Sequence, residues 1–166
     1  MKVIITDVSV LFDLFSVNIL PEFFALDVEI CMTIFVYNEV MRGAQISEFE
    51  TFKRTKKLTV LELTAEEQEA IAAFEPKRSL KSFPDKTMLW KAIQLNCPLL
   101  TCDNKLRNEA NDHGVEVHGS IWVIGELVKQ GIINNSKAIE VLNKLKTENN
   151  RLPTDEIDKI IKVYKN

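Results

Sequence analysis

Val3-Ile4-Ile5-Thr6-Asp7 restricts the fold more tightly than any other stretch of the chain. Three apolar residues in succession close on a hydroxyl and a carboxylate. A short apolar run bounded by polar residues fits a buried strand, although the run alone also fits a buried helix segment. Strands covered on both faces belong to parallel sheets flanked by helices. In such sheets the loops that leave the strand C-terminal ends form the ligand crevice. A carboxylate at that point has two uses, and the stretch leaves both open. It caps the helix-like run Val8-Ser9-Val10-Leu11-Phe12, or it works in the crevice.

The rest of the chain repeats the alternation. Strands are expected at Val3–Thr6, Glu29–Met32, Leu58–Leu63, Leu99–Thr101 and Val115–His118. Helices are expected from Val10 to Phe15 (interrupted or restarted at Pro21), Phe35 to Met41, Ala65 to Phe74, Asp85 to Asn96 and Asn104 to Asp112. Phe49, Phe52 and Leu58 keep helical spacing around Lys53, Arg54, Lys56 and Lys57. Thr64 followed by Glu67 reads as a capping box. Pro98 stops one helix, and His113-Gly114 closes another in the C-cap manner. Strand and helix in alternation predict a parallel sheet with helices on both faces, a three-layer α/β/α architecture of about five strands. After Gly119 the strands cease. Ile121–Lys129, Ser136–Leu145 and Asp155–Tyr164, the last with Thr154 as N-cap, make residues 120–166 a helical C-terminal extension. Lys146 to Arg151 reads as an exposed polar link. The 166 residues, 46% hydrophobic, suit one domain over 1–166 with a core of its own.

Charge and cysteine content narrow the classes of function. A formal net charge of -3, from 21 basic and 24 acidic residues, argues against general nucleic-acid binding over the whole surface but not against a local basic groove. The 3 cysteines, Cys31, Cys97 and Cys102, form no zinc spacing and read as reduced thiols of a cytoplasmic protein. No run is long and apolar enough to span a membrane, and Lys2 is followed by no long apolar leader. The sequence has no glycine-rich phosphate loop, which argues against a nucleotide switch.

Asp7 and Asp103 follow the first and fourth strands. Asp85 opens the helix before the fourth, and Glu39 sits on the helix after the second. If strands one and four are neighbours, Asp7 and Asp103 share one sheet edge, and Asp85 and Glu39 can close on them. Clustered carboxylates raise one another's pKa, and a divalent cation relieves the repulsion. An oxygen-only donor set favours Mg²⁺ or Mn²⁺ over zinc. Such an ion activates water and neutralises charge on a phosphate. Each acid also has a plainer use: Asp103 as a helix cap, Asp85 as partner of a cap at Ser82, Glu39 as a solvated helix residue.

Ile4-Ile5-Thr6-Asp7-Val8-Ser9, Ile34-Phe35-Val36-Tyr37-Asn38-Glu39-Val40, then Asp85 and Leu100-Thr101-Cys102-Asp103, stand in an order that resembles the PIN domain family of metal-dependent nucleases. The likeness spans Met1 to Ile124 and is nearest to small prokaryotic single-domain members, many of them VapC-type toxins. It implies Asp7, Glu39, Asp85 and Asp103 as catalytic metal-site residues. It implies Ser9 and Thr101 as hydroxyls near the ion or its waters, with Asn104 beside them. RNA is the implied substrate, an antitoxin and a homodimer are the implied partners, and Mg²⁺ or Mn²⁺ is the implied cofactor. Asn104 departs from the pattern, because many relatives carry a further acid there or soon after. That departure keeps open a catalytically weak or inactive protein acting by protein binding, and a DNA-directed nuclease is a further alternative.

Other residues receive quieter readings. His118 is a partly exposed polar residue before it is a general base. Trp90 and Trp122 are packing residues. Asp13 is a supporting or surface residue of the first helix. Lys53, Arg54, Lys56, Lys57, Lys77, Arg78 and Lys81 are candidates for backbone contact with a nucleic acid. Phe49 and Phe52 are candidates for an apolar groove that receives a partner's helix, or else their helix packs on the chain's own sheet and the protein is a monomer.

Overall fold

The computed structural model describes residues 2–43, 47–78, 80 and 82–166, so Lys81 lies outside the described residues. The elements run β1 Lys2–Thr6, α1 Val8–Ser16, α2 Leu20–Phe23, β2 Val28–Thr33, α3 Ile34–Gly43, α4 Glu48–Arg54, β3 Leu58–Leu61, α5 Ala65–Ala73 and α6 Phe83–Leu95, then β4 Leu99–Leu100, α7 Asn104–Asp112, β5 Val117–His118, α8 Ser120–Lys129, α9 Asn135–Glu148 and α10 Thr154–Lys165. The sheet is five-stranded, in the order β3-β2-β1-β4-β5. All its pairings are parallel, with Ile4 opposite Ile30, Ile5 opposite Leu99 and Leu100 opposite His118.

The chain winds outward from β1 to β3, then crosses back to β4 and continues to β5. Right-handed crossovers in opposite directions put their helices on opposite faces, which makes the three layers. Ile4, Ile5, Ile30, Met32, Leu99 and Leu100 are essentially without solvent exposure, as strands covered on both faces require. The winding reverses between β1 and β4, so their C-terminal ends diverge and leave a crevice. Asp7 and Asp103 stand there.

Local chemistry sets the helix ends. Thr64 and Glu67 complete a capping box on α5, each side chain taking the other residue's backbone N–H. Asn96 ends α6 in the left-handed region with φ 48°, a conformation that Asn tolerates better than most residues. Thr154 turns out to be the first residue of α10 and Pro153 its N-cap, because proline's fixed φ and missing N–H suit a helix entry.

The larger departures lie in the link and in the aromatic residues. Helix α9 continues to Glu148, so the first half of the expected link is helical; Thr147, Glu148, Asn150 and Arg151 are exposed as expected, while Asn149 donates its side-chain N–H to Asp13 at 2.9 Å. Asp13 is 9% exposed and also accepts from Ser120 Oγ at 2.6 Å; it ties α1 to α8 and to the C-terminal extension instead of lying on the surface. Phe49 is buried, and Phe52 stacks on Phe24 with ring centroids 4.0 Å apart. That face belongs to the chain's own core and offers no groove for a partner's helix. Lys56 and Lys57 precede β3 directly, which puts them at the sheet edge opposite Asp7.

Candidate active site

Asp7 is the most enclosed of the four acids, only 5% exposed. Its backbone N–H donates to Leu100 O at 2.8 Å, continuing the β1–β4 ladder one residue past the strand. Its Oδ2 accepts from Ser9 Oγ and from Thr101 Oγ1, both at 2.8 Å. Ser9 Oγ in turn accepts from the Cys102 N–H at 3.0 Å, and Thr101 Oγ1 accepts from the Asp103 N–H at 3.0 Å. The two hydroxyls thus lock the carboxylate and stitch both strand ends together. Burial pushes the Asp7 carboxyl above its ordinary pKa, and the Thr101 and Ser9 hydrogen bonds oppose that rise.

Asp103 is exposed and caps α7, its Oδ1 accepting from the Leu106 N–H at 2.9 Å. A carboxylate has lone pairs beyond those a cap consumes, so capping and ligation are compatible. Asp85, half-buried in the first turn of α6, has its position set from below. Thr87 and Thr33 are both wholly buried, and their hydroxyls meet at 2.7 Å, fixing α6 on the end of β2. Thr87 Oγ1 also lies 2.6 Å from Pro84 O, and the Asp85 N–H reaches the Ser82 hydroxyl at 3.4 Å. Ser82 is therefore the N-cap anticipated for this helix.

Asp85 feels the other three carboxylates. The Asp85 carboxyl is raised to about 6, first by burial and then by the charges of Asp7, Asp103 and Glu39. The sign of the resulting pH dependence is fixed. Below about pH 4 Asp85 is protonated whether the chain is folded or not, and its burial then carries no charge penalty. From there to about pH 6 the folded state holds the proton more tightly, so stability falls as pH rises, and above that the penalty is complete. Asp85→Asn should stabilise the metal-free protein at pH 7 by about 1 kcal/mol, allowing for solvent screening of a half-exposed group. Urea titrations of both forms check this: the gain should vanish as the pH approaches about 4.

In kind, these groups fit a hard divalent cation, because the donor set is oxygen alone. In spacing, the site stands open: among the described residues, no three Asp, Glu, His or Cys side chains lie close enough together to hold an ion. Glu39 and Asn104 are exposed at the periphery.

Several participants were missed from sequence. Thr33 and Thr87 form the hydroxyl pair beneath Asp85, and an isolated Thr closing an apolar strand was the one available signal. The extension also reaches this edge. A cavity of about 380 Å³ is bounded by Ser9, Asp13 and Asp103 on one side and by Asn149, Arg151 and Leu152 on the other. The expected basic contacts largely fall elsewhere. Arg78 is paired with Asp112, Lys77 Nζ donates to Asp112 O, and Lys53 lies 4.8 Å from the centre of the Tyr37 ring.

Comparison with known proteins agrees with this architecture. Residues 3–166 match the family model described as DUF3368, a PIN domain. A solved PilT N-terminus domain protein, SSO1118 from the hyperthermophilic archaeon Sulfolobus solfataricus P2, superposes with a TM-score of 0.53 at 14% identity. The superposition covers 76% of this chain and 94% of that one, a likeness of fold. No curated protein matches the chain. With a five-stranded parallel sheet, carboxylates at its switch point and a family match over nearly its whole length, the chain belongs to the PIN domain family.

Proposed function

We propose that this protein is a weak, divalent-metal-dependent nuclease whose acidic site draws together only when ion and phosphate are both present, with RNA as its first substrate class. The observation that carries the reading is that Asp7 and Asp103 end neighbouring parallel strands at the switch point, and that their charges and that of Glu39 all reach Asp85. Asp7 and Asp103 would hold Mg²⁺ or Mn²⁺, with Asp85 and Glu39 closing on it directly or through water. Such an ion, when bound, acidifies water and neutralises charge developing on a phosphate. Ser9 and Thr101 hold the Asp7 carboxylate in one orientation, leaving its second oxygen for the crevice. Asp85, half neutralised near pH 6, is the acid most readily recruited as a cation arrives. Cleavage of a short single-stranded RNA with Mn²⁺ present should fall by about 100-fold or more in Asp7→Asn, the scale expected for removing a charge-stabilising group. Equal activity in both forms would sink the reading. Matched RNA and DNA strands in competition separate a ribonuclease from a DNA-directed enzyme.

A second reading is a non-catalytic PIN-fold protein that acts by protein binding. The open spacing of the acids and the uncharged Asn104 favour it. Calorimetric titration with millimolar Mn²⁺ decides: negligible heat supports this reading, and heat that disappears in Asp103→Asn supports the first. A homodimer, an antitoxin-like inhibitor and a cytoplasmic setting belong to the nuclease proposal. With Phe49 and Phe52 inside, a partner would need other surface, such as Phe12 and Phe15 on α1, 41% and 42% exposed. Light scattering and co-purification test those partners. Among the described residues no helix is long and apolar enough to cross a membrane.

A further inference from the structure

A second groove, of about 430 Å³, continues from the acidic crevice along the β4–β5 edge. It shares Cys102, Arg151 and Leu152 with the cavity that contains Ser9 and Asp103, so the two form one trough. Its volume is in the range of pockets that enclose a small organic group, roughly 300–1,000 Å³. Along it the chemistry changes in order. Arg151 stands where the two cavities join. Beyond lie His118 and Trp122, whose rings stack at 4.1 Å with planes 10° apart. Trp122 and Glu156 also border an apolar groove between α8 and α10.

Arg107 lines the same groove. Its Nη2 donates to Thr101 O at 2.9 Å, directly behind the threonine that holds Asp7. A side chain at position 119 would crowd it, since a Cβ on Gly119 would stand 3.0 Å from that nitrogen. Neither Arg107 nor Arg151 forms an ion pair among the described residues. Two arginines without carboxylate partners, in a chain of net charge -3, sit beside a flat aromatic stack and next to a carboxylate crevice.

We propose that this trough is the binding track for a single-stranded polynucleotide. A backbone phosphate rests on Arg151 and Arg107, and the adjoining base packs against the His118–Trp122 stack. Cationic groups that follow the backbone, combined with aromatic faces that take bases, are the general means of holding single strands without reading sequence. Glu116 lies 2.6 Å from His118 Nε2, which steadies the ring under its stack. The inference rests on the nuclease reading for the direction of the strand, but binding is measurable without cleavage.

Fluorescence anisotropy in excess EDTA, with short fluorescein-labelled single-stranded RNA and DNA of one sequence, tests it. Arg151 is exposed and its charge reversal leaves the core untouched. Arg151→Glu should weaken binding about tenfold or more and lower the salt dependence by about one phosphate contact. The chain has 2 tryptophans, so quenching by the unlabelled strand should persist in Trp90→Phe and disappear in Trp122→Phe. Binding of RNA alone, DNA alone or both supports the track and names the strand it accepts. Absence of binding to either, an unchanged affinity in Arg151→Glu, or quenching retained in Trp122→Phe overturns it. Cleavage that survives Arg151→Glu with unchanged affinity removes the track and keeps the nuclease. Arg151-dependent binding without any cleavage does the reverse.

Discussion

Glu109→Ala should lower stability by about 3 kcal/mol, a drop in Tm of roughly 6–12 °C for a chain of this size. Glu109 has no solvent exposure. Its two oxygens accept the backbone N–H groups of Lys77 and Arg78, each at 2.7 Å, and His113 Nε2 lies 3.0 Å from Oε1. A hydrogen bond to a charged group contributes about 1.5–3 kcal/mol, and truncation also leaves a void. Water can reach the two amides once the carboxylate is gone, which keeps the loss below the sum. Glu109→Gln should recover only part, because its amide nitrogen would turn a donor toward one of those N–H groups. Lys77 and Arg78, so held, precede Ser82 and α6 in the chain, so Glu109 steadies the approach to Asp85 from α7, the helix that Asp103 caps. Denaturant unfolding measures the loss. Amide exchange at Lys77 and Arg78 should accelerate in the variant, and unchanged protection there would show that the loop is held by something else.

The contrast between Glu109 and Asp7 shows how far the sequence could be read. Asp7 was legible because it ends an apolar strand, and parallel-sheet topology assigns meaning to that position. Asp103 was legible in the same way, and Asp85 and Glu39 were placed by the family pattern around them. The sheet followed from apolar runs such as Val3–Ile5 and from the helical segments that alternate with them. Glu109 was not legible. It lies in the polar segment Asn104–Asp112, where a buried and a solvated glutamate look the same, and its partners are backbone groups more than thirty residues away. The same limit hid the Thr33–Thr87 pair and left Asp13 between a supporting role and the surface. Hydrophobic periodicity registers faces of elements; it does not register polar contacts made between them. Arg151 was read as solvated, and it is exposed, but the end of helix α9 was placed too early, so the side that it shares with the crevice did not show. Phe49 and Phe52 stayed undecided from sequence because an apolar face beside lysines looks alike whether it meets a partner or its own sheet.

Asp13→Ala should cost about 2–4 kcal/mol and release the C-terminal extension from the trough it walls. Asp13 accepts from Ser120 Oγ at 2.6 Å and Asn149 Nδ2 at 2.9 Å, with Cys102 Sγ 3.4 Å away. Those donors come from the start of α8, the end of α9 and the loop after β4, so one carboxylate joins three elements that share little sequence proximity. Truncation leaves the wholly buried Ser120 hydroxyl with only the Cys102 thiol, 3.2 Å away, and a hydrogen bond to sulfur compensates poorly. Asp13→Asn should retain more stability, since its amide oxygen still accepts from Ser120, while its amide nitrogen loses the Asn149 bond. The extension will not detach entirely, because Ala138, Val141, Leu142 and Leu145 are fully buried on α9. What loosens is the 149–153 turn that carries Arg151. Limited proteolysis should therefore cut Asp13→Ala near that turn while the sheet stays intact. If the single-strand track is correct, oligonucleotide affinity should fall in the same variant even at temperatures where it is fully folded. A folded Asp13→Ala protein with a protected turn and undiminished affinity would show that the extension is held by its apolar face alone.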